Sequence, residues 1–339
     1  MRAAILEKFN QPLALRDVAV PSLGPRDVLV KIHACGVCNG DVDAQEGVFP
    51  AFASPVMPRI PGHRGAGTIV DIGSEVTRVA LGDRVGVPLI HWSCGECEYC
   101  FEGLQMLCSQ VKLTGFQADG SYAEYVKADS RYVGKIPDGL DLDQAAHLTC
   151  TGVTAWGALK AADVKPGDWC AVFGLGAVGE YTVQYAKSFG LRVVAISGYD
   201  EALEIAKNNG ADLLINSRSK DPGVAVKEET GGVHAAIVNS VQIKPFRQAF
   251  DALRPKGTLV SIGLPVAELS IPVFSMIVQE ITVRGSFVGS RNDLEDAYRV
   301  ALRDNIRMDL VEESLDAVND VYRRIRAGET TSRVLLKPR

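Results

Sequence analysis

In the first half of the chain, apolar positions come in short runs that alternate with polar ones and are broken by glycine, proline and aspartate. DVLVKIHACG (27–36), GAGTIVDIG (65–73) and DRVGVPLI (83–90) are runs of this kind. Period-two alternation between turn residues predicts strands, and their succession predicts an irregular β-rich domain. From about residue 168 the pattern changes to alternating strand and helix: WCAVFGLG, then GEYTVQYAKSFG at helical period, LRVVAIS, EALEIAKNNG, ADLLINS, AAIVNS, QAFDALRPKG and GTLVSIG. That alternation predicts an α/β fold with a doubly wound parallel sheet. After ITVRGSFVG the pattern loosens, and the tail TTSRVLLKPR closes on a strand-like run expected to rejoin the first domain.

A length of 339 residues exceeds what one hydrophobic core usually supports, so two domains are expected. The formal net charge of -5 and pI near 5.6 argue against nucleic acid or an anionic membrane as partner, leaving small molecules. Residues 1–20 mix apolar and charged positions without the pattern of a signal peptide, and no apolar run has the length of a membrane span. A cytoplasmic location is the expectation.

Four of the eight cysteines, Cys94, Cys97, Cys100 and Cys108, lie within fifteen positions of one another. In a large chain without a secretory signal, this spacing favours metal over disulfides. Four thiolates fill the tetrahedral shell of zinc and leave no position for water, so the ion they imply is structural. A second motif, Gly174-Leu175-Gly176-Ala177-Val178-Gly179, follows an apolar strand and opens an amphipathic helix. In that context the glycines allow the turn, the approach of a pyrophosphate and close helix–strand packing, with phosphate at the helix N-terminus. An acidic residue normally ends the next strand and binds the ribose; here Ser197 does. Loss of the carboxylate favours NADP. The lack of Arg or Lys between Ser197 and Glu201, and the presence of Asp200 and Glu201, favour NAD, and the balance leans to NAD.

Three further segments, CGVCNGD (35–41), PGHRGAG (61–67) and LTCTGVTAW (148–156), match no local pattern alone. Together with the four-cysteine lobe, GLGAVG, GSFVGSR and the final SRVLL, they make the whole chain resemble zinc-dependent alcohol dehydrogenases of the medium-chain dehydrogenase/reductase family, yeast and bacterial tetrameric type. The resemblance implies a Rossmann coenzyme domain over 151–288 and a β-rich GroES-like catalytic domain over 1–150 and 289–339, with the structural zinc lobe at 94–108. It implies two zinc ions per chain, the catalytic one on Cys38, His63 and Cys150, a ligand set established for alcohol dehydrogenases. Asp41 would fix the imidazole of His63. Arg333 would contact the pyrophosphate, and Phe287 to Gly289, with Val288 at the centre, would lie near the nicotinamide. The implied reaction is hydride transfer between a nicotinamide cofactor and an alcohol, aldehyde or ketone, in a homotetramer, with a dimer as second choice.

The sequence departs from the family pattern at several positions. Gly40 and Asp43 stand where a hydroxyl and a histidine usually relay the proton, so Asp43 is the remaining candidate acceptor. Arg64 replaces a glutamate beside the zinc histidine and could hold an acidic substrate group or pair with a carboxylate such as Asp41. Gln45 and Leu89 replace tryptophans, and Phe49, Pro50, Ala51 and Phe52 belong to a longer segment, which predicts a substrate larger than ethanol. Cys35, Cys170, His91 and Trp92 read as packing residues. A zinc- and nucleotide-binding homologue with little turnover, acting as a binding or regulatory protein, is the alternative; a zinc-free reductase is disfavoured by the three ligand positions.

Overall fold

The computed structural model describes residues 1–50, 54–330 and 333–338, so Ala51, Phe52 and Ser332 lie outside the described residues. The chain divides into two units: Met1–Cys150 with Ser290–Leu302 and Arg307–Arg339, and Thr151–Gly289 with Arg303–Ile306.

The first unit is built on the strand Asp27–Gly36, which pairs antiparallel with Gly65–Ile72, with Tyr125–Asp129 and, at Cys35 and Gly36, with the C-terminal strand Val334–Lys337. Arg84–Val87 and Gly134–Lys135 extend the sheet on one side, and Val311–Ser314 extends it on the other. Val28, Val30 and Ile32 follow the two-residue period into one cluster with Ile69, Val85 and Val126. Register shifts against Gly65–Ile72 then interrupt the alternation, and Cys35 and Val37 enter a different cluster with Val42, Tyr122 and Tyr322. These irregularities turn the end of the strand toward the residues that follow it, Val37 and Cys38.

The second unit holds the expected parallel sheet. Its strand order is Leu213–Asn216, Arg192–Ser197, Trp169–Phe173, Val233–Val238, Leu253–Ser261, Thr282–Gly285. All pairings are parallel, and the direction of winding reverses between Trp169–Phe173 and Val233–Val238. Phe173, Val194, Ile196, Val238 and Leu259 are buried with Val226 and Phe250 of the flanking helices, so one face of the sheet is closed by continuous apolar packing. Helix Ala177–Ser188 starts directly after Gly176. A Cβ on Gly179 would lie 2.0 Å from the Gly174 carbonyl oxygen, whereas one on Gly176 would meet nothing within 4 Å. Glycine is therefore a packing requirement at 179, while at 176 it leaves open space. Gly179→Ala is expected to destabilise the protein by about 2 kcal/mol and lower its melting temperature by several degrees, with Gly176→Ala close to wild type. Equal melting temperatures for the two variants would contradict the close packing.

Candidate metal centres and dinucleotide loop

Cys38 follows the central strand and caps helix Asn39–Glu46 from an extended backbone. Its Sγ accepts from Gly40 N at 3.4 Å, and Asp41 Oδ2 accepts from Cys38 N at 3.0 Å, a reciprocal cap that holds the thiol at the helix start. Asp41 is buried and accepts two further hydrogen bonds, from His63 Nδ1 (Oδ1, 2.9 Å) and from the Tyr122 hydroxyl (Oδ2, 2.9 Å). A carboxylate at Nδ1 fixes the proton there and leaves Nε2 for a metal. The turn before His63 needs Gly62, whose φ is 93° and whose Cβ would fall 2.5 Å from the Tyr122 ring. Cys150 lies in a π-helical turn, Leu148–Gly152, between helices Leu142–His147 and Val153–Ala161. Such turns re-aim a side chain within an otherwise regular helix.

The ligand atoms of Cys38, His63 and Cys150 all lie within 4.8 Å of one another, and so do those of Cys94, Cys97, Cys100 and Cys108. Tetrahedral zinc with bonds of about 2.3 Å requires sulfur atoms about 3.8 Å apart. In the lobe, Cys94–Cys100, Cys97–Cys100 and Cys108–Cys94 are separated by 3.9, 3.5 and 3.6 Å, so the lobe fits that ion. Backbone N–H groups of Glu96 and Gln110 point to Cys94 and Cys108 Sγ at 3.4 Å, as thiolates require. The lobe has four ligands and the other cluster three, which leaves a position for substrate only in the latter.

Electrostatics at the three-ligand cluster also suit a cation. A hydrogen bond from Cys150 holds the Cys38 thiol well below its usual range, against the effect of burial and with help from Arg64. Burial disfavours a charged His63, yet Asp41 and Cys150 outweigh it and lift the imidazole well above its usual range. Arg64 does not pair with Asp41 through any ion pair or hydrogen bond. Its guanidinium donates to Cys38 Sγ at 2.7 Å and to Val37 O at 3.1 Å, and it is buried. The expectation of an Asp41 partner is corrected: Asp41 already serves Cys38, His63 and Tyr122. Gln45 holds two helices together. Its amide bonds Gln11 O and Arg326, joining helix Asn39–Glu46 to helix Val318–Arg326.

Leu89 is buried, and the ring of Phe116, which no motif flagged, lies 6.0 Å from both His63 and Phe49. Asp43 is half-buried, and burial, then the charges of Cys38, Glu46 and Asp41, raise its pKa to about 6. Cys35 and Cys170 are fully buried in strands, and Lys112 sits 5.5 Å over the Trp92 ring, beside His91 in the strand Ile90–Trp92.

In the second unit, Gly174 has φ 94°, and Leu175, Ala177, Val178 and Gly179 follow it into the helix. The pairing of Phe173 with Ile196 brings Ser197 to the same sheet edge as Gly174. Asn239, immediately after the strand Val233–Val238, lies beside Gly174 and Gly179, and both its amide atoms are buried without a hydrogen-bond partner among the described residues. Its signal was positional, since it follows the strand across the reversal from the glycine loop. Val288 has φ 56°, an uncommon conformation for a β-branched residue and one found at ligand sites. Arg333 belongs to the first unit, where its carbonyl accepts from Val311 N at 3.0 Å.

A parallel nucleotide-type sheet, together with a mixed-sheet unit carrying two thiolate-rich clusters, defines a zinc-binding dehydrogenase. Residues 24–138 match the alcohol dehydrogenase GroES-like domain and residues 177–303 the zinc-binding dehydrogenase domain. An alcohol dehydrogenase of Geobacillus stearothermophilus is 43% identical over 337 residues, 99% of each chain. The solved alcohol dehydrogenase of Aeropyrum pernix is similar with a TM-score of 0.89 at 31% identity, covering 100% of both chains. A zinc-binding dehydrogenase of Sinorhizobium meliloti, solved with NADP, has a TM-score of 0.90 at 27% identity, covering 99% of both chains. The chain belongs to the zinc-dependent alcohol dehydrogenase family of medium-chain dehydrogenases/reductases, whose general activity is zinc-dependent, NAD(P)-linked oxidoreduction.

Asp41→Asn is expected to weaken zinc at the Cys38 cluster by about 10- to 100-fold in chelator competition, because the His63 tautomer is no longer fixed. Tyr122→Phe removes one of three donors to Asp41 and is expected to cost less. Unchanged zinc retention in Asp41→Asn would show that His63 is oriented by something else.

Proposed function

We propose that this protein transfers a hydride between a nicotinamide dinucleotide and an alcohol or carbonyl compound larger than ethanol, using the Cys38–His63–Cys150 centre. The observation that carries this reading is the contrast between three convergent ligands here and four in the lobe. Cys38, His63 and Cys150 would hold a zinc ion that would supply Lewis-acid polarisation of the substrate oxygen, and a nicotinamide dinucleotide would supply or accept the hydride. Asp41 and Tyr122 hold His63 in the ligating tautomer. Phe49 and Phe116 form an apolar wall beside the ligands, which keeps water out and favours a substrate with a hydrocarbon body. The glycine loop Gly174–Gly179 would hold the pyrophosphate with the Asn239 amide beside it, and Val288 would present backbone to the nicotinamide; Arg333 stays a pyrophosphate candidate by the family resemblance alone. The choice between NAD and NADP rests on what meets the adenosine ribose beside Ser197.

The proton relay is altered. Gly40 has no hydroxyl, so Asp43 takes the proton through water. With its pKa near 6, Asp43 is an ionised base above that pH and a protonated, inactive one below it. Alcohol oxidation therefore falls as the pH drops through about 6, and Asp43→Asn removes that limb of the profile; an unchanged profile would eliminate Asp43 as acceptor. A Cβ on Gly40 would lie 3.6 Å from Cys38 Sγ and 4.0 Å from Phe49, an ordinary contact, so a side chain can start at position 40, and Gly40→Ser with Asp43→His restores the usual relay groups. The double variant is expected to raise turnover about tenfold, at the low end of what acid–base groups contribute.

Assaying zinc content, coenzyme binding and turnover across a panel of alcohols and carbonyls tests the whole reading. Full zinc and bound coenzyme without any turnover would favour the second reading, a binding or regulatory homologue, which the hydrogen bond of Arg64 to Cys38 supports. Faster turnover of ethanol than of every larger alcohol would remove the claim about substrate size.

We also infer a homotetramer, which needs more than one self-complementary face. The second unit exposes Val273, Phe274, Ile277 and Val278 beside the edge strand Thr282–Gly285, and the zinc lobe exposes Phe101, Leu104 and Leu107. Light scattering is expected to give a tetramer mass for the protein and a smaller assembly for Phe274→Asp; a monomeric wild type would refute the assembly. Among the described residues no helix is long and apolar enough to cross a membrane, and two thiolate-rich metal clusters suit a reducing, cytoplasmic location.

A further inference from the structure

Ser197 ends its strand without a carboxylate, and its hydroxyl accepts from Tyr199 N at 3.2 Å. The neighbouring strand pairs Asn216 with Ser197, so the two residues after it, Ser217 and Arg218, arrive at the same corner. Gly198 leaves room for them: a Cβ there would lie 3.2 Å from Arg218 Nε and 3.4 Å from Ser217 Oγ. The Arg218 guanidinium rests over the Tyr199 ring at 4.5 Å, a stacking contact that restricts it to this corner. Arg218 is exposed and forms no ion pair among the described residues; its one hydrogen bond is from its backbone N to Asn216 Oδ1. The nearest acidic residue in sequence, Asp200, has its carboxylate bonded by Asn216 Nδ2 at 2.6 Å.

We infer that Ser197, Ser217 and Arg218, arranged around the bare backbone of Gly198, form a 2′-phosphate site, and that the coenzyme of this protein is NADP rather than NAD. The inference rests on the dinucleotide-binding reading of the glycine loop. A carboxylate ending the strand would accept the ribose hydroxyls and repel a phosphate. This corner instead offers two hydroxyl donors and a planar cation, with the Asp200 carboxylate engaged by Asn216, the chemistry that recognises a phosphate monoester. This reading departs from the lean to NAD drawn from residues 197–201, because the positive charge comes from beyond the next strand, too far along the chain for a local reading.

The test uses the purified zinc-loaded protein, with NADPH and NADH titrated by fluorescence and adenosine 2′,5′-bisphosphate and AMP titrated by calorimetry. Wild type is expected to bind the 2′-phosphorylated member of each pair at least about tenfold more tightly, with the difference shrinking as salt is raised. Arg218→Ala should weaken NADPH by about tenfold to a hundredfold and leave NADH nearly unchanged, Arg218→Lys should retain part of the preference, and Ser197→Asp should invert it. Equal affinities in wild type, or equal losses for both coenzymes in Arg218→Ala, would overturn the phosphate site while leaving the dehydrogenase reading intact. Failure of wild type to bind either dinucleotide would overturn both.

Discussion

The first unit depends on one buried carboxylate. Asp41 accepts from the backbone of Cys38, the imidazole of His63 and the hydroxyl of Tyr122, and so ties a helix start, a ligand-bearing turn and a core tyrosine to a single point. A carboxylate taken out of water needs such partners, since leaving one unsatisfied costs several kcal/mol. The demand is mutual: the helix cap, the His63 tautomer and the Tyr122 hydroxyl each lack their partner without it. Arg64 adds a second buried charge close by, and its hydrogen bond to Cys38 balances part of the negative charge of the thiolate.

Much of this could be read along the chain. The parallel sheet followed from strand–helix alternation, and the four-cysteine lobe from its spacing, because both are local patterns whose physics is complete within a few residues. Cys38, His63 and Cys150 lie far apart in sequence, and only whole-chain resemblance suggested that they belong together. No pattern in LTCTGVTAW announces the π-helical turn that carries Cys150. The directions of Arg64 and Gln45 could not be read either. Each side chain is long, with several polar groups within reach, and packing chose Cys38 for one and Arg326 for the other. Asn239 and Arg218 were missed because strand register, which no single segment contains, decides what lies beside Gly174 and Ser197.

The two thiolate clusters show how similar chemistry serves different ends. The lobe is assembled from neighbours in sequence, with backbone N–H groups directed at its sulfurs. The other cluster is assembled from three separate segments and is held by Asp41, Tyr122 and a left-handed glycine. Its geometry is therefore as rigid as the core around it, which is what a centre that must present one open position requires.

The pairing of Leu335 with Gly36 and of Leu336 with Cys35 has a bearing on how the protein is made. The strand that ends next to Cys38 is completed by a strand that follows the second unit in sequence, so this pairing cannot form until the second unit has been made. The residues beside Cys38 therefore gain this strand partner only after the second unit has been made, whereas Cys94, Cys97, Cys100 and Cys108 all precede that unit in sequence.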